Sequence, residues 1–155
     1  MKIHEERRHL PYPPDEVFSL VADVERYPEF LPWCEKLAVT SRTQEGSRVE
    51  LVAAMTVSFK IYRERFLTRV RLDRDARTIF IDYLDGPFKR LENSWRFFPA
   101  GDGTDIAFRI AFEFKSRALQ LLVGVVFEEA FRRLVGAFEA RARALYGRRT
   151  ANIVV

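Results

Sequence analysis

The feature that most constrains the fold of this chain is a series of segments in which every second residue is apolar. Successive side chains of a strand point to opposite faces of a sheet, so this alternation is typical of strands with one buried face. Three such faces are Val49, Leu51, Ala53, Met55, Val57 and Phe59; Leu91, Asn93, Trp95 and Phe97; and Ile106, Phe108, Ile110, Phe112 and Phe114. A sheet with an apolar face this continuous must be covered by a second layer.

Turn residues divide the chain into separate elements. We predict an opening strand over residues 2–9, a short helix over residues 14–22, and six antiparallel strands over residues 37–43, 48–58, 61–72, 78–84, 88–98 and 104–114. The turns between the strands are rich in Gly, Asp and Ser, as in QEGS at 44–47 and DGP at 85–87. Turns this short favour hairpins between consecutive strands.

A long helix over residues 116–146 supplies the covering layer. Ser116 is suited to cap its first turn, and Gly147 follows its predicted end. The second half has one apolar stripe, whereas residues 119–127 are apolar almost all round and must be contacted on more than one side. The order of elements predicts an α+β helix-grip fold, in which a curled antiparallel sheet wraps around the long C-terminal helix with an internal apolar cavity.

Size and cysteine content limit the organisation of the chain. We predict one domain over residues 1–147 and a C-terminal tail over residues 148–155, because 155 residues can bury a sizeable core without disulfides or metal. The single Cys34 excludes an internal disulfide. With only His4 and His9 besides, no zinc cluster of four Cys or His ligands is possible. We expect Cys34 to be a buried apolar residue.

A bent connector is predicted near the short helix, over residues 21–34. Pro28 and Pro32 interrupt it, since proline lacks the backbone donor and keeps the preceding residue extended. The large apolar side chains of this segment are Tyr27, Phe30, Leu31 and Trp33. They favour either a surface that closes over an apolar ligand or a plug that seals one end of the core.

The N-terminus is charged and has no apolar segment of a secretory signal, so we expect a cytoplasmic protein. The longest apolar run, residues 118–127, is about half the length that a bilayer span needs. It is suited to lying against the inner face of a membrane or to capping a pocket, and the alternative is a dimer surface.

The formal net charge of +4 mildly favours phosphate-bearing partners. The basic residues Arg63, Arg65, Arg69 and Arg71 project from one face of the strand 61–72, and Arg74 and Arg77 follow nearby. This arginine stripe is suited to RNA phosphates or anionic lipid head groups. The alternative is a solvated outer face paired with Asp and Glu on neighbouring strands. No DNA partner is predicted.

Four motifs give the chain a resemblance to a known family: VERYPEFLPWC at 24–34, FLTRV at 66–70, GPFKRLENSW at 86–95 and FEEAFRRL at 127–134. The chain resembles the START-like polyketide cyclase/lipid transport superfamily. Within it, the chain is similar to the branch that contains coenzyme Q-binding proteins and RatA-type ribosome association toxins. The resemblance covers residues 2–147.

The resemblance implies two non-enzymatic functions. The first is binding of a hydrophobic ligand, ubiquinone or another polyisoprenoid quinone, by a lipid chaperone or carrier that supports respiratory electron transport. The alternative is binding of the large ribosomal subunit by a toxin that blocks subunit association. Ubiquinone would be a bound ligand, and no cofactor is required. We predict neither catalytic nor metal-binding residues, because no Ser-His-Asp or paired-carboxylate arrangement is visible.

The apolar sheet face and the apolar start of the last helix motivate a predicted ligand site. Its residues are Phe30, Leu31 and Trp33 at the entrance, Leu51, Met55, Trp95, Phe97, Phe108 and Ile110 on the sheet, and Leu122, Val126 and Phe127 on the helix. Asn93 and Glu64 are polar residues on otherwise apolar faces, so each needs a partner. For Asn93 the alternatives are a bridge to backbone groups, which we favour, and a contact with a quinone head group.

Overall fold

A computed structural model of the protein describes residues 1–59 and 62–147. The elements in chain order are β1 (Lys2–Leu10), α1 (Pro14–Ala22), a 3₁₀ helix (Val24–Glu29), β2 (Cys34–Glu45), β3 (Arg48–Phe59), β4 (Tyr62–Asp73), β5 (Thr78–Asp85), β6 (Phe88–Ala100), β7 (Gly103–Phe114) and α2 (Arg117–Tyr146). The start of the strand predicted at residue 61 and the predicted tail lie outside the described residues.

The seven strands form one antiparallel sheet in the order β1-β7-β6-β5-β4-β3-β2. This curled sheet and the long C-terminal helix confirm the predicted helix-grip fold. The strand ends differ from the predicted ones by up to three residues, and the largest difference is at β2, which begins at Cys34 and not at residue 37. Its pairing with β3 is interrupted by register shifts between Cys34 and Lys36 and between Val39 and Ser41. Each irregularity disturbs the two-residue alternation from which the strand was predicted.

Helix α2 has the predicted ends. The Ser116 hydroxyl accepts a hydrogen bond from the Leu119 amide at 3.1 Å, and Gly147 ends the helix with a φ of 81°. Its second half is tied to the first strand, because Arg8 of β1 donates to Glu139 at 2.9 Å. These contacts lay α2 across the concave face of the sheet, as an apolar sheet face requires.

The core consists of two adjoining groups of buried side chains between the sheet and the helices. The larger group surrounds Trp95, whose ring centroid lies 5.2 Å from that of Phe138 on α2. The second group surrounds Phe88, which stacks on Phe114 at 4.8 Å. Trp33 packs against both groups. The connector therefore lies where the two parts of the core meet.

Candidate functional site

A cavity of about 90 Å³ lies between the sheet and α2. Its walls are formed by the connector (Val24, Tyr27, Leu31, Trp33), the sheet (Leu37, Ala53, Met55, Phe66, Thr68, Val70, Ile81, Leu91, Asn93, Trp95, Ile110) and α2 (Phe131, Leu134, Phe138). A larger hollow of about 490 Å³ on the outer face of the sheet is lined by charged residues such as Arg48 and Asp73, which form an ion pair at 3.4 Å. The inner cavity is therefore the candidate site for an apolar ligand.

The connector covers the cavity and also belongs to the core. The Tyr27 hydroxyl donates to the carbonyl of Val21, and its ring meets Phe138 edge-on at 5.2 Å. Burial raises the pKa of Tyr27 far above its ordinary value, so the hydroxyl stays protonated. Leu31 and Trp33 continue the same wall. The connector therefore packs on the core, as expected of a plug, and also faces the cavity, as expected of a surface that closes over a ligand.

Two contacts fasten the connector to the helix. Arg141 of α2 forms an ion pair with Glu29 at 2.7 Å, and its guanidinium lies 5.1 Å from the centroid of the Phe30 ring. Arg26 donates to the same carboxylate at 2.9 Å. Hydrogen bonds from Arg26 and then Arg141 hold the pKa of Glu29 below its ordinary value. The cavity cover is therefore joined to α2 by an ionic contact as well as by apolar packing.

The polar side chains of the cavity wall are few and mostly committed. The Asn93 amide donates to the Arg109 carbonyl at 2.8 Å and accepts from the Trp95 indole N–H at 3.0 Å. Asn93 therefore binds one backbone group, where a bridge between backbone groups was predicted, and its second partner is a side chain. Thr68 is the other uncharged polar side chain of the sheet wall. Glu64 is half-buried near the start of β4 and does not line the cavity.

The structure divides the predicted ligand residues of the connector and sheet into two groups. Those that line the cavity are Leu31, Trp33, Met55, Trp95 and Ile110. Those that pack elsewhere in the same part of the core are Phe30, Leu51, Phe97 and Phe108. Periodicity predicts the face on which a side chain lies, whereas the position of a gap in the packing depends on the sizes of all its neighbours.

The predicted helix residues do not reach the cavity. Phe127 packs in the second core group, 5.5 Å from Phe88, Val126 is half-buried, and Leu122 is 74% exposed. The cavity lies farther along α2, beside Phe131, Leu134 and Phe138. These three belong to the apolar stripe of the second half of the helix, which is the sequence signal that identifies them.

The first turns of α2 carry an exposed apolar surface. Leu121 is 84% exposed, and Leu122 and Val125 are each 74% exposed. The exposed cations Lys115 and Arg117 precede them, and residues 115–127 contain no acidic side chain. We call Lys115, Arg117, Leu121, Leu122 and Val125 the helix patch. The apolar run at 118–127 is thus covered by the core on one side only.

The arginine stripe lies on the outer face of β4, as predicted. Three of its members pair with carboxylates on other strands of the sheet: Arg63 with Glu35 of β2 at 2.6 Å, Arg69 with Glu50 of β3 at 2.9 Å, and Arg71 with Asp82 of β5 at 3.0 Å. Arg65 has no ion pair within the part of the chain that the structure describes. The stripe is therefore mostly neutralised within the sheet.

Side chains that commonly act as acids, bases or metal ligands are sparse around the cavity. The cavity wall contains no carboxylate and no imidazole, and residues 1–59 and 62–147 contain no cluster of three or more His, Cys, Asp or Glu side chains placed to hold a metal. Cys34 is buried, as predicted, and burial raises its pKa to about 11, so it is a poor nucleophile. No described helix is long and apolar enough to cross a membrane.

Comparison with known proteins gives one family. A family model described as polyketide cyclase / dehydrase and lipid transport matches residues 10–139. The ribosome association toxin RatA of Escherichia coli K12 is 36% identical over 141 residues, which are 90% of this chain and 86% of the toxin. The mitochondrial coenzyme Q-binding protein COQ10 homolog B of Xenopus laevis is 32% identical over 151 residues, which are 94% of this chain and 59% of that protein.

Solved structures agree in fold. The solution structure of an 18 kDa protein from Caulobacter crescentus is 43% identical with a TM-score of 0.78, and the match covers 96% of this chain and 100% of that one. The crystal structure of the Zhui aromatase/cyclase from a Streptomyces species has a TM-score of 0.77 at 19% identity, and the match covers 99% of both chains. At that identity the likeness is one of fold alone.

Proposed function

Because the chain belongs to the polyketide cyclase / dehydrase and lipid transport family, we propose that it binds a hydrophobic ligand in the cavity between the sheet and α2, without catalysing a reaction. Its relatives, which include RatA and the COQ10 homolog, confirm the branch predicted from the four motifs. The observation that carries the proposal is the cavity wall. Apart from Thr68 and Asn93, it consists of aliphatic, thioether and aromatic side chains.

The proposed ligand is ubiquinone or a related polyisoprenoid quinone. The name of the COQ10 homolog supports this choice, and so does the chemistry of the wall. Each CH₂ group removed from water contributes about 0.8 kcal/mol, so an isoprenoid tail binds an apolar cavity without any charged contact. In this function the protein acts as a lipid chaperone or carrier that supports respiratory electron transport.

The ligand must widen the cavity when it enters. A volume of about 90 Å³ is smaller than the roughly 150 Å³ of an engineered apolar cavity that binds benzene. The connector and α2 are the walls that are not part of the sheet, and side-chain contacts such as Tyr27 with Phe138 join them. Their separation would enlarge the cavity and leave the strand pairing intact.

Peripheral contact with an anionic membrane is part of the proposal. Leu121, Leu122 and Val125 are suited to the boundary between head groups and acyl chains, and Lys115 and Arg117 to the lipid phosphates. Three aliphatic side chains fall well short of the roughly 800 Å² per partner of a stable protein interface, which argues against a second copy of the chain. Docking there would bring α2, one wall of the cavity, to the lipid surface.

Association with the large ribosomal subunit is the second candidate function. The observation in its favour is the 36% identity to RatA over most of both chains. The arginine stripe gives it limited support, since Arg63, Arg69 and Arg71 already pair with carboxylates. A polyanion would have to compete with these pairs for the same guanidinium groups.

The direct test is organic extraction of the protein purified from its native cells, followed by mass spectrometry of the lipids. We expect a co-purifying quinone that is lost in Ala53→Leu, because Ala53 lines the cavity and the larger side chain fills it. Ala140→Leu adds the same volume at an exposed position of α2 and should retain the quinone. If the native protein carries no quinone but co-sediments with large subunits, the second candidate is favoured.

A further inference from the structure

The cavity has very few side-chain atoms available for a polar contact. Among the lining residues, the Tyr27 hydroxyl donates to the Val21 carbonyl, and the Trp95 indole N–H donates to Asn93. The polar groups that remain are the Thr68 hydroxyl and the unused capacity of the Asn93 carboxamide. A ligand with one polar end therefore has two places in this wall to which that end can bind.

The orientation of the Asn93 carboxamide is fixed by its two hydrogen bonds. Its Nδ2 donates to a carbonyl, that of Arg109, and its Oδ1 accepts from an N–H, that of Trp95. Exchanging nitrogen and oxygen would set two acceptors against each other and two donors against each other. The assignment therefore follows from the chemistry of both partners.

The same carboxamide has capacity left for a ligand. A primary amide carries two N–H donors and two acceptor lone pairs, and the two observed bonds use one of each. Asn93 is only 8% exposed, and its side chain lines the cavity. The remaining donor is thus enclosed in an apolar site, where a hydrogen bond contributes more to specificity than in water.

We propose that Asn93 is the specificity-determining residue of the cavity and that its free N–H donates to a carbonyl oxygen of the ligand head group. The cavity then prefers carbonyl-bearing ligands, such as quinones, over hydrocarbons of the same size. Trp95 acts as a positioning residue, because its indole holds the carboxamide with the nitrogen available. This inference rests on the proposed function, since it assigns one contact within the same ligand site.

The preference is measured with two probes of equal tail length, decylubiquinone and decylbenzene. Binding of decylubiquinone is titrated by the quenching of the intrinsic tryptophan fluorescence. Binding of decylbenzene is measured by its competition with decylubiquinone. For Asn93→Leu we expect a loss of about tenfold in decylubiquinone affinity relative to decylbenzene, as for removal of one buried hydrogen bond. Thr68→Val is the matched control, since it also replaces a buried polar group of the wall by an apolar one, and it should keep the preference.

An infrared measurement on the unmodified protein tests the same contact without relying on the stability of a variant. Decylubiquinone is labelled with ¹³C at one carbonyl at a time. On binding, one of the two carbonyl stretches should move to lower wavenumber than in the free quinone. Trp95→Phe, which removes the positioning bond, should reduce that shift. Two unshifted carbonyls, or the same preference in the unmodified protein and in Asn93→Leu, would overturn the assignment of Asn93 while the site itself stands. If neither probe binds the unmodified protein, the proposed function fails as well.

Discussion

Arg141 of α2 and Glu29 of the connector form an ion pair at 2.7 Å, although 112 residues separate them in the chain. The guanidinium also covers the Phe30 ring. One side chain thus holds the cover of the cavity to the helix by a charge and by an aromatic contact. This pair is the natural place to test how firmly the connector is held.

We expect Arg141→Met to loosen the connector. The variant keeps an apolar side chain over Phe30 but loses the ion pair, so trypsin should cleave after the exposed Arg26 faster than in the unmodified protein. Arg133→Met is the control, because Arg133 pairs with Glu129 on the exposed side of α2, where such pairs contribute little. Equal cleavage rates in the two variants would contradict a holding role for Arg141.

The pair should also give stability a dependence on pH. Glu29 has its pKa lowered in the folded state by Arg26 and Arg141. The contribution of such a carboxylate is present above its unfolded pKa and is lost as the pH falls through the folded value. The difference in urea midpoint between the unmodified protein and Arg141→Met should therefore be largest at neutral pH and decrease in acid. A difference that stays constant in acid would mean that packing, and not charge, joins the two elements.

Gly86 should be intolerant of a side chain. It has a φ of 141°, and a Cβ there would lie 2.5 Å from the Phe66 Cβ. Gly86→Ala should lower the free energy of unfolding by about 3 kcal/mol or more, since backbone strain and overpacking add. Gly101→Ala is the control, with a φ of 61° and open space around it, and should cost about 1–2 kcal/mol. Denaturant titration compares the two variants.

Cys34 should be unreactive in the folded protein. It is buried, and burial raises its pKa to about 11, so very little thiolate is present at mildly alkaline pH. We expect iodoacetamide to label it far more slowly in the native protein than in urea, as followed by mass spectrometry. Rapid labelling of the native protein would show that the start of β2 opens readily.

The helix patch should be required for binding to anionic vesicles. Leu122→Glu replaces a largely exposed apolar side chain by a negative charge. Co-flotation at low salt should fall by about tenfold or more, because burial of one leucine side chain contributes about 1.5–3 kcal/mol. Leu145→Glu introduces the same charge at another exposed position near the end of α2 and should leave binding nearly unchanged. Equal losses would show that net charge alone governs the interaction.

The fold could be predicted because its signals are local. The alternation in β6 and β7 gives the buried side of each strand, and Ser116 and Gly147 mark the ends of α2. The start of β2 was missed because irregular pairing removes that alternation. Local signals therefore suffice where the chain is regular and fail where one residue is left unpaired.

The candidate site was only partly predictable, because a cavity is the place where packing is incomplete. Leu51 and Ile110 are equally apolar, but only Ile110 reaches the gap. On α2 the sequence predicted Leu122 as a ligand residue, but this side chain is exposed. Leu134, which was not predicted, lines the cavity. The choice between such residues depends on how the helix is rotated over the sheet, which is set by long-range contacts such as Arg8 with Glu139.

The order of the strands places β1 and β2 at the two free edges of the sheet. The described residues contain no pairing between these two strands, so the curled sheet is an open barrel whose seam is closed by α2 and the connector. Parting the seam breaks side-chain contacts and leaves the backbone ladders whole. Under the proposed function, the room that a ligand requires is gained along this seam while all seven strands stay paired.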